Sequence, residues 1–273
     1  CAVNDWLKAV EGILDGACDD ADVAVLSSLV SFWTWGGDMN SPRLGRLRRS
    51  LWQTVLACLR AHVAVHMVSE EDVSEGSVEA DQLRVGERAY RTVLVPAIDV
   101  VGQGALGVLQ SAADAGVSVF WFGTGPGKLI SRAGRLRDCA ARPGETLRQP
   151  YPSVSWCRAR LTPAAAISGR NSEECYVRRL RARDGQRYLL AVNVCDESLA
   201  LRLGMVGAGG AWLPVNADGE AVARVACTAW RVPGRGCGLF RLGPAPQAVR
   251  RAQSPVRRPT GAGRTFERLR PNI

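Results

Sequence analysis

Lysine is nearly missing from this chain. Of 35 basic residues among 273, only Lys8 and Lys128 are lysine; the rest are arginine. A phosphate-binding surface draws on both types, so the skew reads as coding bias in a GC-rich genome. The net charge of +9 is also localised, because residues 244–273 hold seven arginines against one glutamate. Nucleic acid is therefore not expected as a partner. Histidine is as scarce, with only His62 and His66, and the nine cysteines include no CxxC pair. No zinc-site spacing exists, and no metal or cofactor is expected. No apolar run approaches the roughly 20 residues of a membrane span, so no membrane association is expected. The chain opens at Cys1 without a basic n-region or an apolar h-region. The expectation is a fragment whose start lies upstream.

What is present is βαβ patterning. Asp22 to Leu26 and Val63 to Val68 read as buried strands, and Arg43 to Ala61 between them as the longest amphipathic helix. On that helix Cys58 continues the apolar series Leu44, Leu47, Leu51 and Val55, as a small core residue would. Gly76 to Tyr90 reads as a hairpin excursion. Thr92 to Val95 and Val117 to Phe122 are a third and fourth strand, flanking a helix from Gly102 to Ala115. Asp5 to Leu14 is a short leading helix, with Trp6, Val10, Ile13 and Leu14 on one face. From about residue 149 the pattern alternates. Cys175 to Arg183 and Gln186 to Val194 form a hairpin across Asp184-Gly185. Further short strands follow at Leu199, Ala211, Ala221 and Gly238. The fold class is α/β: a flavodoxin-like parallel sheet followed by a small antiparallel β-sandwich. Cys175, Cys195, Cys227 and Cys237 fall in or beside these strands as buried thiols or cross-strand disulfides. Buried thiols are favoured, which leans towards a reducing, cytoplasmic compartment.

The candidate chemistry is sparse. The turn after the third strand, Pro96-Ala-Ile-Asp-Val100, occupies the place of a nucleophile elbow but has neither Ser nor Cys nor flanking glycines. Asp99 there reads as a loop carboxylate or a helix N-cap. Gly123-Thr-Gly-Pro-Gly-Lys128 fails the Walker pattern at Phe122 and Leu129 and reads as a flexible connection. Glu70, Glu71 and Asp72 read as a solvated acidic turn. Ser27 to Pro42 reads as an aromatic-rich loop. In it Trp33 and Trp35, beside Asp38, follow the first strand's C-terminal end, where a glycan or a neighbouring domain would be met.

Several of these pieces carry a resemblance. They are Ile13-Leu-Asp-Gly16, Ala21-Asp-Val-Ala-Val-Leu26, Phe32-Trp-Thr-Trp35, Val68-Ser-Glu-Glu-Asp-Val73 and Leu83-Arg-Val-Gly86. To them are added Tyr90 to Ala97, Ala113-Asp-Ala-Gly116, Phe122-Gly-Thr-Gly-Pro126, Tyr188 to Asn193 and Trp212 to Gly219. The order resembles the region after the catalytic barrel in large glycoside hydrolases, the family 42 β-galactosidases and the family 106 rhamnosidases. Ser27-Ser28 stands where those families carry Tyr-Pro.

The resemblance implies an amidotransferase-like domain that has lost its nucleophile and serves structural, oligomeric or pocket-completing roles. The catalytic carboxylates would sit on an upstream barrel of the same polypeptide, so no catalytic residue is assigned here. Trp33, Trp35 and Asp38 are the carbohydrate or domain-interface contacts. The implied division is 1–20, a helix trailing an upstream domain; 21–148, the α/β domain; 149–243, the sandwich; and 244–273, a Pro/Arg-rich linker or disordered tail. The alternative is a free-standing module that binds an oligosaccharide or a partner.

Overall fold

The computed structural model describes residues 11, 15–35, 40–204, 210–215 and 230–244. Its first half is built on five parallel strands: β1 (Val23–Ser27), β2 (Val65–Ser69), β3 (Thr92–Val95), β4 (Ser118–Phe122) and β5 (Glu145–Leu147). Their spatial order is 2-1-3-4-5. The register sets Val23 opposite Val65 and Thr92, Val93 opposite Val119, and Phe120 opposite Glu145.

The near-continuous apolar runs of β1, β3 and β4 follow from burial on both faces. Ala24, Leu26, Val93, Val95, Val119 and Trp121 pack with helix α4 (Gln103–Asp114) and with Leu83 and Tyr90 of the excursion. The alternate residues Val23, Val25, Leu94, Phe120 and Phe122 face α2 (Pro42–Arg60) and α5 (Val154–Arg160). A period of two sorts the side chains between these helical layers. Trp156 of α5 meets Phe120 and Phe122 edge-on, with centroids 5.0 and 5.3 Å away. Residues 154–160 thus pack on the parallel sheet, although they follow residue 149.

The second half has two antiparallel sheets. One carries β6 (Cys175–Arg181), β7 (Arg187–Asn193), β11 (Cys237–Pro244) and β9 (Gly210–Pro214), paired in that order. The other joins Ile167–Ser168, β8 (Leu199–Leu203) and β10 (Trp230–Val232). Both contribute to one core that includes Val177, Leu189, Leu201, Val232 and Phe240. The hairpin at Asp184-Gly185 forms as its sequence indicates, with Gly185 at φ 81°.

The halves are stapled together. Cys18–Asp19 pairs antiparallel with Leu180 and Arg181 at the outer edge of β6. Arg179 reaches Asp20 at 3.2 Å and Asp22 at 3.0 Å, and Arg178 pairs with Asp19. On the far side of α2, His62 sits at φ 62° with Nε2 2.8 Å from the Ser172 carbonyl oxygen. The His62 carbonyl accepts from the Ala164 N–H.

Two expectations change. The aromatic-rich loop contains helix α1 (Leu29–Thr34), because Ser28 supplies an N-cap that accepts from the Ser31 N–H. The acidic turn is helix α3 (Glu70–Ser74), closed by a Ser69–Asp72 capping box, and its Glu70 is buried rather than solvated. The Gly123–Lys128 connection leads into a strand, Lys128–Ile130, that pairs parallel with Val100–Gly102. Strand β5 and helix α5 were not anticipated. The Asp5–Leu14 helix apart from Glu11, Asp38, the Ala221 strand, Cys227 and the tail beyond Pro244 lie outside the described residues.

Candidate functional site

Order 2-1-3-4-5 reverses between β1 and β3, and open α/β sheets bind ligands beyond the strand C-termini at such a reversal. In this chain three hydroxyls fix the backbone there. Ser31 Oγ donates to the Val100 carbonyl at 2.7 Å and accepts from the N–H groups of Val100 and Asp99. Ser28 Oγ donates to the same carbonyl at 3.2 Å. From α2, Ser50 Oγ accepts from the Ala97 N–H and donates to the Pro150 carbonyl. The elbow position is thus filled by a clamped turn: the Ser31 and Ser50 hydroxyls are committed to backbone, and that of Ser28 is shared between backbone and Glu70.

Glu70 completes the clamp. Its Oε2 accepts from the Gly102 N–H at 2.6 Å, at the start of α4. Burial raises its pKa, and the Ser28 hydroxyl and the Gly102 N–H only partly offset that. Oε1 has no hydrogen-bond partner among the described residues.

Asp99 is a loop carboxylate, between Val95 and Val100, and not an N-cap; Gly102 holds the N-cap position of α4. Its Oδ2 is 2.6 Å from Arg43 Nε, and Oδ1 is 3.4 Å from an Arg46 nitrogen. Its carbonyl accepts from the N–H groups of Gly127 and Lys128, both at 3.1 Å. The Arg43 guanidinium lies over the Trp35 ring, 3.6 Å from the centroid. Trp35, Arg43, Asp99, Thr124, Lys128 and Arg142 line a cavity of about 450 Å³.

The two tryptophans separate. Trp35 lines the cavity, while Trp33 is 75% exposed on α1 beside exposed Leu29 and outside that lining. Sequence reading missed the arginines. Their signal was Arg43 and Arg46 near the N-terminus of α2, with no acidic residue in the first turn, against the helix dipole.

A larger cavity, about 750 Å³, runs along edge strand β2. There His66 Nδ1 is 3.0 Å from the Tyr90 hydroxyl, and Nε2 is 3.3 Å from Asp19 Oδ2 and 3.2 Å from Arg88. Burial opposes ionisation of Asp19, but hydrogen bonds from His66 and Arg178 outweigh it and hold the carboxyl below its ordinary value. Burial raises the Tyr90 phenol. This cluster has its acid already ionised and its phenol hard to ionise, an arrangement suited to joining the halves. Among the described residues no His, Cys, Asp and Glu cluster could hold a metal ion. No described helix is long and apolar enough to cross a membrane.

No protein-family model and no curated protein matches the sequence. Solved structures do match. The chain is similar to a β-galactosidase from Bacillus circulans sp. alkalophilus, with TM-score 0.61 and 13% identity, over 89% of this chain and 44% of that one. A β-galactosidase from Rahnella sp. R3 matches with TM-score 0.56 and 12% identity, over 87% and 43%. A rhamnosidase from Novosphingobium sp. PP1Y matches with TM-score 0.57 and 15% identity, over 93% and 25%. The chain therefore spans less than half of each of these enzymes, and at such identities the likeness is one of fold.

Proposed function

We propose that this chain is the noncatalytic accessory region of a glycoside hydrolase, with the catalytic barrel upstream in the same polypeptide. In this reading residues 21–148 form a flavodoxin-like, amidotransferase-like domain on which helix 154–160 also packs, and the rest of residues 149–243 form an antiparallel β-sandwich. The strand order 2-1-3-4-5 supports the first assignment. The observation that carries the proposal is coverage: 89% of this chain overlies only 44% of a β-galactosidase. The chemistry agrees with it. Asp99 is the one carboxylate lining the switch-point cavity among the described residues, and it is tied to arginines. Glycosidic hydrolysis ordinarily takes a pair of carboxylates.

Trp33 and Leu29 form an exposed apolar strip on α1, suited to contact with the barrel. The test is hydrolysis of a panel of aryl glycosides by the purified chain. No turnover is expected. Turnover that disappears in Asp99→Asn would overturn the noncatalytic reading. A second reading, a free-standing carbohydrate-binding module, draws on the 75% exposure of Trp33. It requires that Trp33→Ala weaken oligosaccharide binding by the chain alone. A second copy covering the strip would appear as a dimer by light scattering.

A further inference from the structure

The cavity at the switch point is cationic beyond what the fold requires. Arg43, Lys128 and Arg142 line it against the single carboxylate of Asp99. Asp99 is already matched by Arg43 and Arg46. Among the described residues Lys128 pairs only with Asp138, whose side chain is 92% exposed. Arg142 makes no hydrogen bond or ion pair among the described residues.

Its exposed side chain lies against Gly125, whose φ of +68° is the left-handed conformation that glycine adopts without strain. Arg43 and Arg46 stand near the positive end of a 19-residue helix, where the macrodipole disfavours them. Asp99 offsets that cost for Arg43 and Arg46, so Lys128 and Arg142 leave the strand-end crevice with surplus positive charge. The remaining lining groups are the Trp35 indole, the Thr124 hydroxyl and glycine backbone, which suit a small hydroxylated molecule.

We propose that this cavity binds a sugar bearing a carboxylate or a sulfate, with Arg142, Lys128 and Arg43 as its cationic contacts and Thr124 as a hydroxyl contact. The anion follows from the cavity alone; the sugar rests on the glycoside hydrolase reading.

The experiment is titration calorimetry on the full chain with galacturonate, galactose 6-sulfate, galactose and inorganic sulfate. Both acidic sugars should bind roughly tenfold more tightly than galactose, as charge-assisted pairing predicts. Arg142→Gln should weaken them about tenfold, and Lys128→Gln severalfold. Arg132→Gln, on a different cavity, should change nothing. Raising salt from about 20 to about 200 mM should weaken binding severalfold. Absence of binding by either acidic sugar, or equal effects of Arg142→Gln and Arg132→Gln, overturns the site. If sulfate alone binds as well as galactose 6-sulfate, the anion site stands and the sugar assignment is overturned. The accessory-region reading is judged separately, by the hydrolysis assay.

Discussion

Ser31 holds both backbone polar groups of Val100: Oγ is 2.7 Å from the Val100 carbonyl oxygen and 2.9 Å from its nitrogen. One buried hydroxyl on α1 thus sets the shape of the turn that follows β3, across 69 residues of sequence. Ser31→Ala leaves a buried N–H and carbonyl with fewer partners, and about 1–3 kcal/mol of stability should be lost. Urea unfolding measures this, and a loss below about 0.5 kcal/mol would mean water replaces the hydroxyl.

Glu70 should make the fold less stable at neutral pH than its neutral analogue. Its folded pKa is raised, chiefly by burial, so the unfolded chain releases the proton first as pH rises. Stability therefore falls from the ordinary carboxylate value of about 4.3 up to the raised folded value, and stays lower above it. Glu70→Gln keeps an acceptor for the Gly102 N–H and removes the charge. Denaturant melts should show a gain over wild type near neutral pH and none near about pH 4. An equal difference at both would refute the assignment.

The tryptophans should divide by burial. Trp33, 75% exposed, can be replaced by alanine at a cost within about 0.5 kcal/mol. Trp121 is fully buried and donates through Nε1 to the Pro143 carbonyl at 2.6 Å, so Trp121→Ala should cost about 3–5 kcal/mol. Thermal melts of the two variants give the comparison directly.

The cysteines should sort the same way under alkylation near pH 8. The sulfurs of Cys58 and Cys157 lie 3.9 Å apart, too far for the roughly 2.0 Å of a disulfide. Hydrogen bonding to Cys157, with burial, pushes the Cys58 thiol well up, and burial takes Cys175 to about 12. Peptide mass spectrometry should find Cys18 modified in the folded chain, and Cys58, Cys157 and Cys175 modified only after unfolding. Rapid labelling of Cys157 without denaturant would show that α5 leaves the sheet.

The parallel strands were legible because burial on both faces leaves a continuous apolar run, as in Val23 to Leu26. The 184–185 hairpin was legible from its turn chemistry. Strand β5 was not: Glu145 and Thr146 are exposed on an edge strand and carry no apolar signature. Glu70 misled for the opposite reason. Three consecutive acids look solvated, and nothing local announces that the first one accepts from the Gly102 N–H, 32 residues away. Arg142 was invisible because only the fold brings it beside Arg43 and Lys128.

The pairing of Cys18–Asp19 with the edge of β6 has a consequence in time. Asp19 and Arg178 are 159 residues apart, so the lead-in to β1 waits for its partner until most of the described chain has been synthesised. At ribosomal rates of roughly 5–20 residues per second, that wait is about 8–32 s. Throughout it the sheet can assemble from β1 to β5 through its own crossovers. The staple can close only once β6 has emerged, while β7 to β11 are still to follow.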